Sequence, residues 1–327
     1  MTLLDRPMPP APAAQLKDLL RTADLTASDL NHLLVLAADV KSHPHRFAKE
    51  LAGQLVVLYF TKPSTRTRLS FSAAAARLGA VPIVVGPTEL QLGRGETIED
   101  TARVISGYAA ALVVRTFADA DVRCLADAAT IPVINGLTDG HHPCQSLADL
   151  LTLREHFGRL TGLRVAYVGD GNNVAHSLME ACALAGVDIT VATPPGYEPD
   201  PDIVTGAQAL ADETNASVRT THDPQEAVQG ADAVYTDVWL SMGDPDEQRA
   251  ARAAALEPYR VDAELMRQAA PHAVFLHCLP AHRGDEVTDE VMRSDQSLVF
   301  PQAGNRLPTA AAVLLALTRR SLGGATR

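Results

Sequence analysis

Short runs of apolar residues alternate with longer amphipathic stretches along nearly the whole chain. In the first half, Leu55–Phe60, Val81–Val85, Ala111–Val114 and Pro132–Asn135 read as strands. Thr67–Leu78, Thr97–Tyr108 and Ala118–Ala128 carry helical spacing between them. Leu16 to Leu36 reads as helices broken near Thr26, whose hydroxyl caps the second one. Thr97 and Asp100 are placed to form a capping box, and Gly79 follows the last residue of its helix, where glycine is favoured. A long helix from Cys144 to Phe157 leads into a second series. There the expected strands are Leu163–Val168, Asp188–Ala192, Ser217–Thr221, Ala233–Thr236 and Ala273–Leu276. Helices are expected at Ala175–Ala185, Asp202–Glu213, Pro224–Gln229 and Pro258–Gln268, and Thr309 to Leu322 reads as a final one. Strands apolar on both faces, separated by helices, predict parallel sheets covered on both sides. The expectation is an α/β fold of two doubly wound parallel-sheet domains that divide near residue 150.

In such sheets ligands bind beyond the carboxyl ends of the strands, and there this chain places its polar residues. Phe60 leads to Ser64–Arg68, Val114 to Arg115, and the strand ending at Asn135 to His141, His142 and Gln145. In the second half Val168 leads to Gly169–Asn173, Thr236 to Asp237, and Leu276 to His277 and Cys278. One cleft between two domains is implied, with a basic first wall and a mixed polar second wall.

Composition narrows the occupant. At 327 residues, 46% hydrophobic and 20% charged, the chain is of ordinary globular type. Its formal net charge of −11 argues against a nucleic-acid partner and makes any anion site a local basic cluster. No apolar run approaches a membrane span, and Met1 to Pro12 lacks the pattern of a signal peptide. Cys124, Cys144, Cys182 and Cys278 have no disulfide-framework or metal-knuckle spacing, which fits a reducing cytoplasm.

The basic cluster centres on Ser64-Thr65-Arg66-Thr67-Arg68, between a strand and a helix. Unpaired N–H groups at a helix start, two hydroxyls and planar guanidinium groups suit phosphate oxygens. A capped helix start with solvated arginines is the plain alternative. Gly169-Asp170-Gly171 has the opening of a dinucleotide fingerprint, but Val174 stands where its last glycine is required. His141, His142 and Cys144, or His277, Cys278 and His282, match no standard zinc spacing. A satisfied polar loop is the commoner explanation of both. Cys278 as a covalent nucleophile would need a base, and His277 as its neighbour on an extended segment points elsewhere. No metal and no cofactor are therefore expected.

These segments together resemble the aspartate/ornithine carbamoyltransferase family over nearly the whole length. The matching stretches are Phe60–Arg68 (FTKPSTRTR), Gln91–Thr97 (QLGRGET), His142–Gln145 (HPCQ), Gly169–Asn173 (GDGNN), Asp237–Gly243 (DVWLSMG), His277–Pro280 (HCLP) and Asn305-Arg306. The Ser-Met-Gly loop is what separates the family's ornithine enzymes from its aspartate enzymes. The resemblance implies a carbamoyl-phosphate-binding domain over residues 1–150, an ornithine-binding domain over 151–305, and a C-terminal helix, 306–327, packing back on the first. It implies that Ser64, Thr65, Arg66, Thr67 and Arg115 grip the phosphate and that His142 and Gln145 hold the carbamoyl group. Cys278, the Leu279 backbone and Arg306 would close over the reacting carbonyl. Asn173, Asp237, Ser241 and Met242 would contact ornithine, and Met242-Gly243-Asp244 would serve as a lid. In the family's homotrimers the residue matching Gln91 reaches into the neighbouring subunit's site. Arg66, Arg115, His142, Cys278 and Arg306 are the expected catalytic group, in a cytoplasmic enzyme of arginine biosynthesis.

Three positions depart from the family's pattern. Ser72 and the segment Pro301–Gly304 stand where acidic residues are common, and Ala281-His282 intervene before Arg283. A related amine, such as an acylated ornithine or putrescine, or a weakly active phosphate-binding homologue are the alternative readings.

Overall fold

The computed structural model describes residues 16–92, 94–239 and 246–323. The first sheet contains β1 (Leu55–Phe60), β2 (Val81–Val85), β3 (Ala111–Arg115) and β4 (Val133–Leu137), in the order β2-β1-β3-β4. The second contains β5 (Arg164–Val168), β6 (Asp188–Ala192), β7 (Val218–Thr221), β8 (Ala233–Thr236) and β9 (Val274–His277), in the order β7-β6-β5-β8-β9. Every strand pairing is parallel, as the two-sided apolar runs predicted. Val56, Leu58, Leu112, Val113, Ala166 and Val234 are among the fully buried strand residues.

In chain order the helices are α1 (Ala27–Ser42), α2 (Arg66–Arg77), α3 (Ile98–Ser106), α4 (Asp119–Ala128), α5 (Pro143–Phe157), α6 (Asn173–Ala185) and α7 (Pro201–Thr214). The series continues with α8 (Pro224–Val228), α9 (Asp246–Leu256), α10 (Ala263–Met266), α11 (Asp289–Arg293) and α12 (Val299–Gly323). Thr26 caps α1 in a full box with Asp29. Thr97 caps α3 through the Asp100 N–H at 3.1 Å. Gly79, at φ +88°, ends α2 with the left-handed turn that its lack of a side chain permits.

Two expectations need correction. The helix expected over Pro258–Gln268 is split into a 3₁₀ turn, Glu257–Tyr259, and the short α10. Between them Val261 pairs with the segment around Val287, donating to Glu286 O at 2.9 Å and accepting from Thr288 N at 3.1 Å, and those long-range bonds replace the helical ones. The last helix begins not at Thr309 but already at Val299, and Pro308 lies inside it. This helix packs against α1, α2 and α5, and α5 itself is buried from Pro143 to Leu153.

The order of each sheet reverses direction once, between β1 and β3 and between β5 and β8. Loops leaving adjacent strands diverge at such a point and open a crevice.

Candidate active site

Register brings the first wall together. Phe60 pairs with Arg115, so the loop leaving β1 and the last residue of β3 share one level. The β3–β4 register shifts between Val114 and Arg115, and such a bulge re-aims the following side chain. Gly136 permits the close fit around it, because a Cβ there would lie 3.1 Å from Val114 O and 3.2 Å from the Thr67 methyl carbon. No side chain caps α2 at Thr65, which leaves the N–H groups of its first turn for a ligand. Ser64 is half-buried, Thr65 exposed and Thr67 buried.

Arg306 joins that wall from α12. It is 3% exposed and donates through Nη2 to Thr67 Oγ1 at 2.9 Å. Nη1 bonds Gln145 Oε1 and approaches His142 Nε2 at 3.4 Å. A guanidinium only donates, so His142 Nε2 accepts and the ring proton rests on Nδ1. That buried Nδ1 has no partner. Burial, followed by the charges of Arg306, Arg115 and Arg66, holds the His142 pKa well below the usual histidine range. Arg115 is pushed down to about 10 by burial and by Arg306 and Arg66, and its buried Nε is unpaired. Arg66 has no hydrogen-bond or ion-pair partner among the described residues. Three guanidinium groups and a neutral histidine thus converge, in a chain of net charge −11, with no carboxylate bonded to any of them among the described residues. That arrangement favours an anion.

Register also builds the second wall. Thr236 pairs with His277, which sets Asp237 beside Cys278, and the thiol donates to Asp237 Oδ1 at 2.8 Å. Burial, then the Asp237 charge, pushes the Cys278 pKa well up, so the group is a thiol at neutral pH. Asp237 Oδ2 accepts from Asn172 Nδ2 at 2.9 Å. His277 Nδ1 accepts the Leu279 N–H at 2.8 Å, so its Nε2 donates to Glu286 at 3.1 Å. Leu279 has φ +61°, a left-handed conformation costing a side-chain-bearing residue about 1–2 kcal/mol, and the His277 bond helps hold it. Ligand atoms of Asp237, His277 and Cys278 lie within 4.8 Å of one another, but each is already engaged in these hydrogen bonds. The Arg66 charge of the first wall opposes that rise in the Cys278 pKa, which puts the two walls within electrostatic reach of each other.

Both halves of the chain match one family. The carbamoyl-P binding domain of aspartate/ornithine carbamoyltransferase matches residues 17–155, and the Asp/Orn binding domain of the same family matches 161–317. The chain belongs to the aspartate/ornithine carbamoyltransferase family. An ornithine carbamoyltransferase of Bacillus thuringiensis subsp. konkukian is 48% identical over 306 residues, covering 94% of this chain and 96% of that protein. One from Parasynechococcus marenigrum is 52% identical over 301 residues, covering 92% and 93%. The solved ornithine carbamoyltransferase from Pyrococcus furiosus superimposes with a TM-score of 0.89 at 47% identity, covering 93% of this chain and 97% of that one.

Of the residues that the family motifs nominated, Thr67, His142, Gln145 and Arg306 are joined by direct contacts, and Asp237 by one to Cys278. Gln91 lies apart, on the exposed loop between β2 and α3, and its side chain has no hydrogen-bond partner among the described residues. Asn173 opens α6 and donates to Thr138 O at 2.5 Å; its neighbour Asn172 is the one that bonds Asp237. Ser241 and Met242, with the Met242–Asp244 lid, lie outside the described residues. Carbamoyltransferase motifs alone did not single out Asn172, Asp149, Gln302 or Glu286. Asp149 and Gln302 carry a legible signal: each stands four residues from a nominated one, Gln145 and Arg306, on the same face of a helix.

Proposed function

We propose that this chain transfers the carbamoyl group of carbamoyl phosphate to the δ-amine of L-ornithine, giving L-citrulline and phosphate for arginine synthesis. One observation carries the reading: Arg66, Arg115 and Arg306, with no carboxylate bonded to them among the described residues, lie within electrostatic reach of the Asp237–Cys278 pair. A dianion fits the first side, and an amino acid's ammonium fits the second.

Ser64, Thr65, Thr67 and the first-turn N–H groups of α2 hold the phosphate with Arg66 and Arg115. His142 Nδ1–H and Arg306 address the carbonyl oxygen, with Gln145 fixing Arg306. The amine nitrogen attacks the carbonyl carbon, a C–N bond forms, and the C–O bond to phosphate breaks with its electron pair leaving on phosphate. The developing oxyanion meets donors already in place, each worth about 10²–10³ in rate. A free alkyl amine has a pKa of about 10.4, so its neutral form costs roughly 4–5 kcal/mol at neutral pH. Desolvation and the neighbouring guanidinium charges lower that cost, and the departing phosphate takes the proton. Asp237 retains lone pairs beyond those used by Cys278 and Asn172 and receives the α-ammonium. Asn173 and the amides of the segment holding Ser241 and Met242 receive the carboxylate, and the Leu279 backbone closes over the reacting carbonyl.

Domain limits of 1–150 and 151–305 follow from this division of labour, with the segment from 306 onward carrying Arg306 back to the first domain. A homotrimer is part of the same proposal, with Gln91 completing a neighbour's site. Its support is that Val81, Val104 and Tyr108 of the first domain are 54%, 50% and 72% exposed and that β2 ends its sheet. The cytoplasm is the proposed compartment, consistent with four free cysteines.

Purified protein, carbamoyl phosphate and a panel of amines test the proposal through citrulline-type product. Turnover with L-ornithine is expected; turnover only with putrescine or an acylated ornithine, or none, overturns it.

A further inference from the structure

Asp149 is completely buried on α5 and hydrogen-bonds toward both walls of the cleft. Its Oδ1 accepts Gln145 Nε2 at 2.8 Å and Gln302 Nε2 at 2.6 Å. Gln145 belongs to the phosphate side, with its Oε1 committed to Arg306. Gln302 belongs to the acceptor side: its Oε1 takes the backbone N–H of His277 at 2.9 Å, and its Nε2 also reaches Tyr235 Oη at 3.2 Å.

The polarity of the network admits only an acceptor at this point. Arg306 can only donate, so Gln145 turns its oxygen to Arg306 and its amide hydrogens to residue 149. The His277 N–H can only donate, so Gln302 does likewise from the other side. Two amide groups converge on one oxygen, and an apolar residue there would strand both donors in a dry interior. The geometry is a ladder between two packed helices. Gln145 and Asp149 are four residues apart on α5, and Gln302 and Arg306 are four apart on α12, so Arg306–Gln145 and Gln302–Asp149 form successive rungs.

Resting on the two-substrate reading above, we propose that Asp149 is a positioning residue that couples the two substrates. Ligand at the carbonyl site draws on Arg306, which shifts Gln145. Gln145 pulls on Asp149, and Gln302 transmits the change to the His277 backbone, one residue before Cys278 and two before Leu279. Carbamoyl phosphate thereby prepares the ornithine side, and by thermodynamic reciprocity an ornithine-like ligand tightens carbamoyl phosphate by the same factor.

The test uses L-norvaline, which is ornithine without its δ-amine, as a ligand that binds without reacting. Calorimetric titration of wild-type protein is expected to show norvaline binding about 10-fold tighter with carbamoyl phosphate present than absent. Asp149→Ala is expected to cut that factor below about 2-fold and lower kcat about 10²-fold, with carbamoyl-phosphate affinity held within about 3-fold. Asp149→Asn, which keeps the accepting oxygen, is expected to restore the coupling. Gln302→Leu cuts only the acceptor-side arm and is expected to abolish coupling as Asp149→Ala does; it decides the matter should Asp149→Ala not fold. Coupling retained in Gln302→Leu, or lost equally in Asp149→Asn, overturns the proposal. Wild-type citrulline formation without any norvaline coupling defeats this inference alone, whereas no citrulline formation defeats the functional reading beneath it.

Discussion

Cys278 donates its thiol hydrogen to Asp237 Oδ1 at 2.8 Å, a contact created by the in-register pairing of Thr236 with His277. It makes the cysteine a donor that orients a carboxylate, rather than a nucleophile. The thiolate would be partly desolvated beside a negative charge, and both effects raise its pKa. Iodoacetamide at neutral pH is therefore expected to alkylate Cys278 at least ~10-fold more slowly than free cysteine, because the thiolate is the reactive form. Mass spectrometry of the labelled peptide, with urea-unfolded protein as control, reads the rate. Rapid alkylation in the folded state would contradict the assignment.

Arg306 combines two roles that lysine cannot fill together, since its planar fork reaches Thr67 and Gln145 at once. Arg306→Lys is expected to lower kcat by about 10²–10³-fold, with carbamoyl-phosphate KM changed far less. Steady-state kinetics checks the split; a defect confined to KM would place Arg306 in ground-state binding only.

Arg66, Arg115 and Arg306 have no bonded carboxylate among the described residues and repel one another until an anion arrives. Saturating carbamoyl phosphate should therefore raise Tm, by an amount equivalent to about 2.7 kcal/mol at a hundred times Kd. In Arg115→Gln most of that ligand-induced shift should disappear, while the ligand-free protein melts close to wild type. Scanning calorimetry with and without ligand measures both; an undiminished shift in the variant would remove Arg115 from the phosphate site.

Asp149 has a pKa raised to about 7 by burial, opposed by its bonds from Gln145 and Gln302 and by the Arg306 charge. A carboxyl raised in the folded state contributes stability that is fully present below its unfolded pKa of about 3.9 and is lost as pH rises through about 7. Asp149→Asn has no such proton, so relative to wild type it should gain stability between about pH 4 and 7, by at most about 4 kcal/mol. Urea unfolding across that range checks the sign, and a constant difference would show that Asp149 titrates normally.

Tyr108 and Val81 are large apolar side chains of the first domain left 72% and 54% exposed, and the proposed homotrimer would cover them. Tyr108→Asp combined with Val81→Asp is expected to yield monomers in sedimentation and to lose most turnover, because Gln91 could no longer reach a neighbour's site. Active monomers would eliminate the trimer.

Much of this was legible along the chain. Strands buried on both faces have no polar side, so their apolar runs announced parallel sheets directly. The polar residues just beyond Phe60, Val114, Thr236 and Leu276 marked the cleft because chain direction is shared by every strand of such a sheet. The helix expected at Pro258–Gln268 was not legible, since Val261 is claimed by a partner beyond Glu286 that no local pattern reveals. Nor was Asn172, which looks like an ordinary helix cap: it does cap α6, and only its remaining amide reaches Asp237.

Periodicity, strand polarity and motif order thus determined the fold, the family and the two chemical walls of the cleft, because each depends on residues near one another in sequence. Tertiary structure alone decided how those walls are held. Register set Cys278 against Asp237, and the packing of α12 on α5 carried Arg306 to Thr67 and Gln302 to Asp149. A hydrogen bond depends on distance and direction in space, and those pairs are brought together only when the helices and strands have packed.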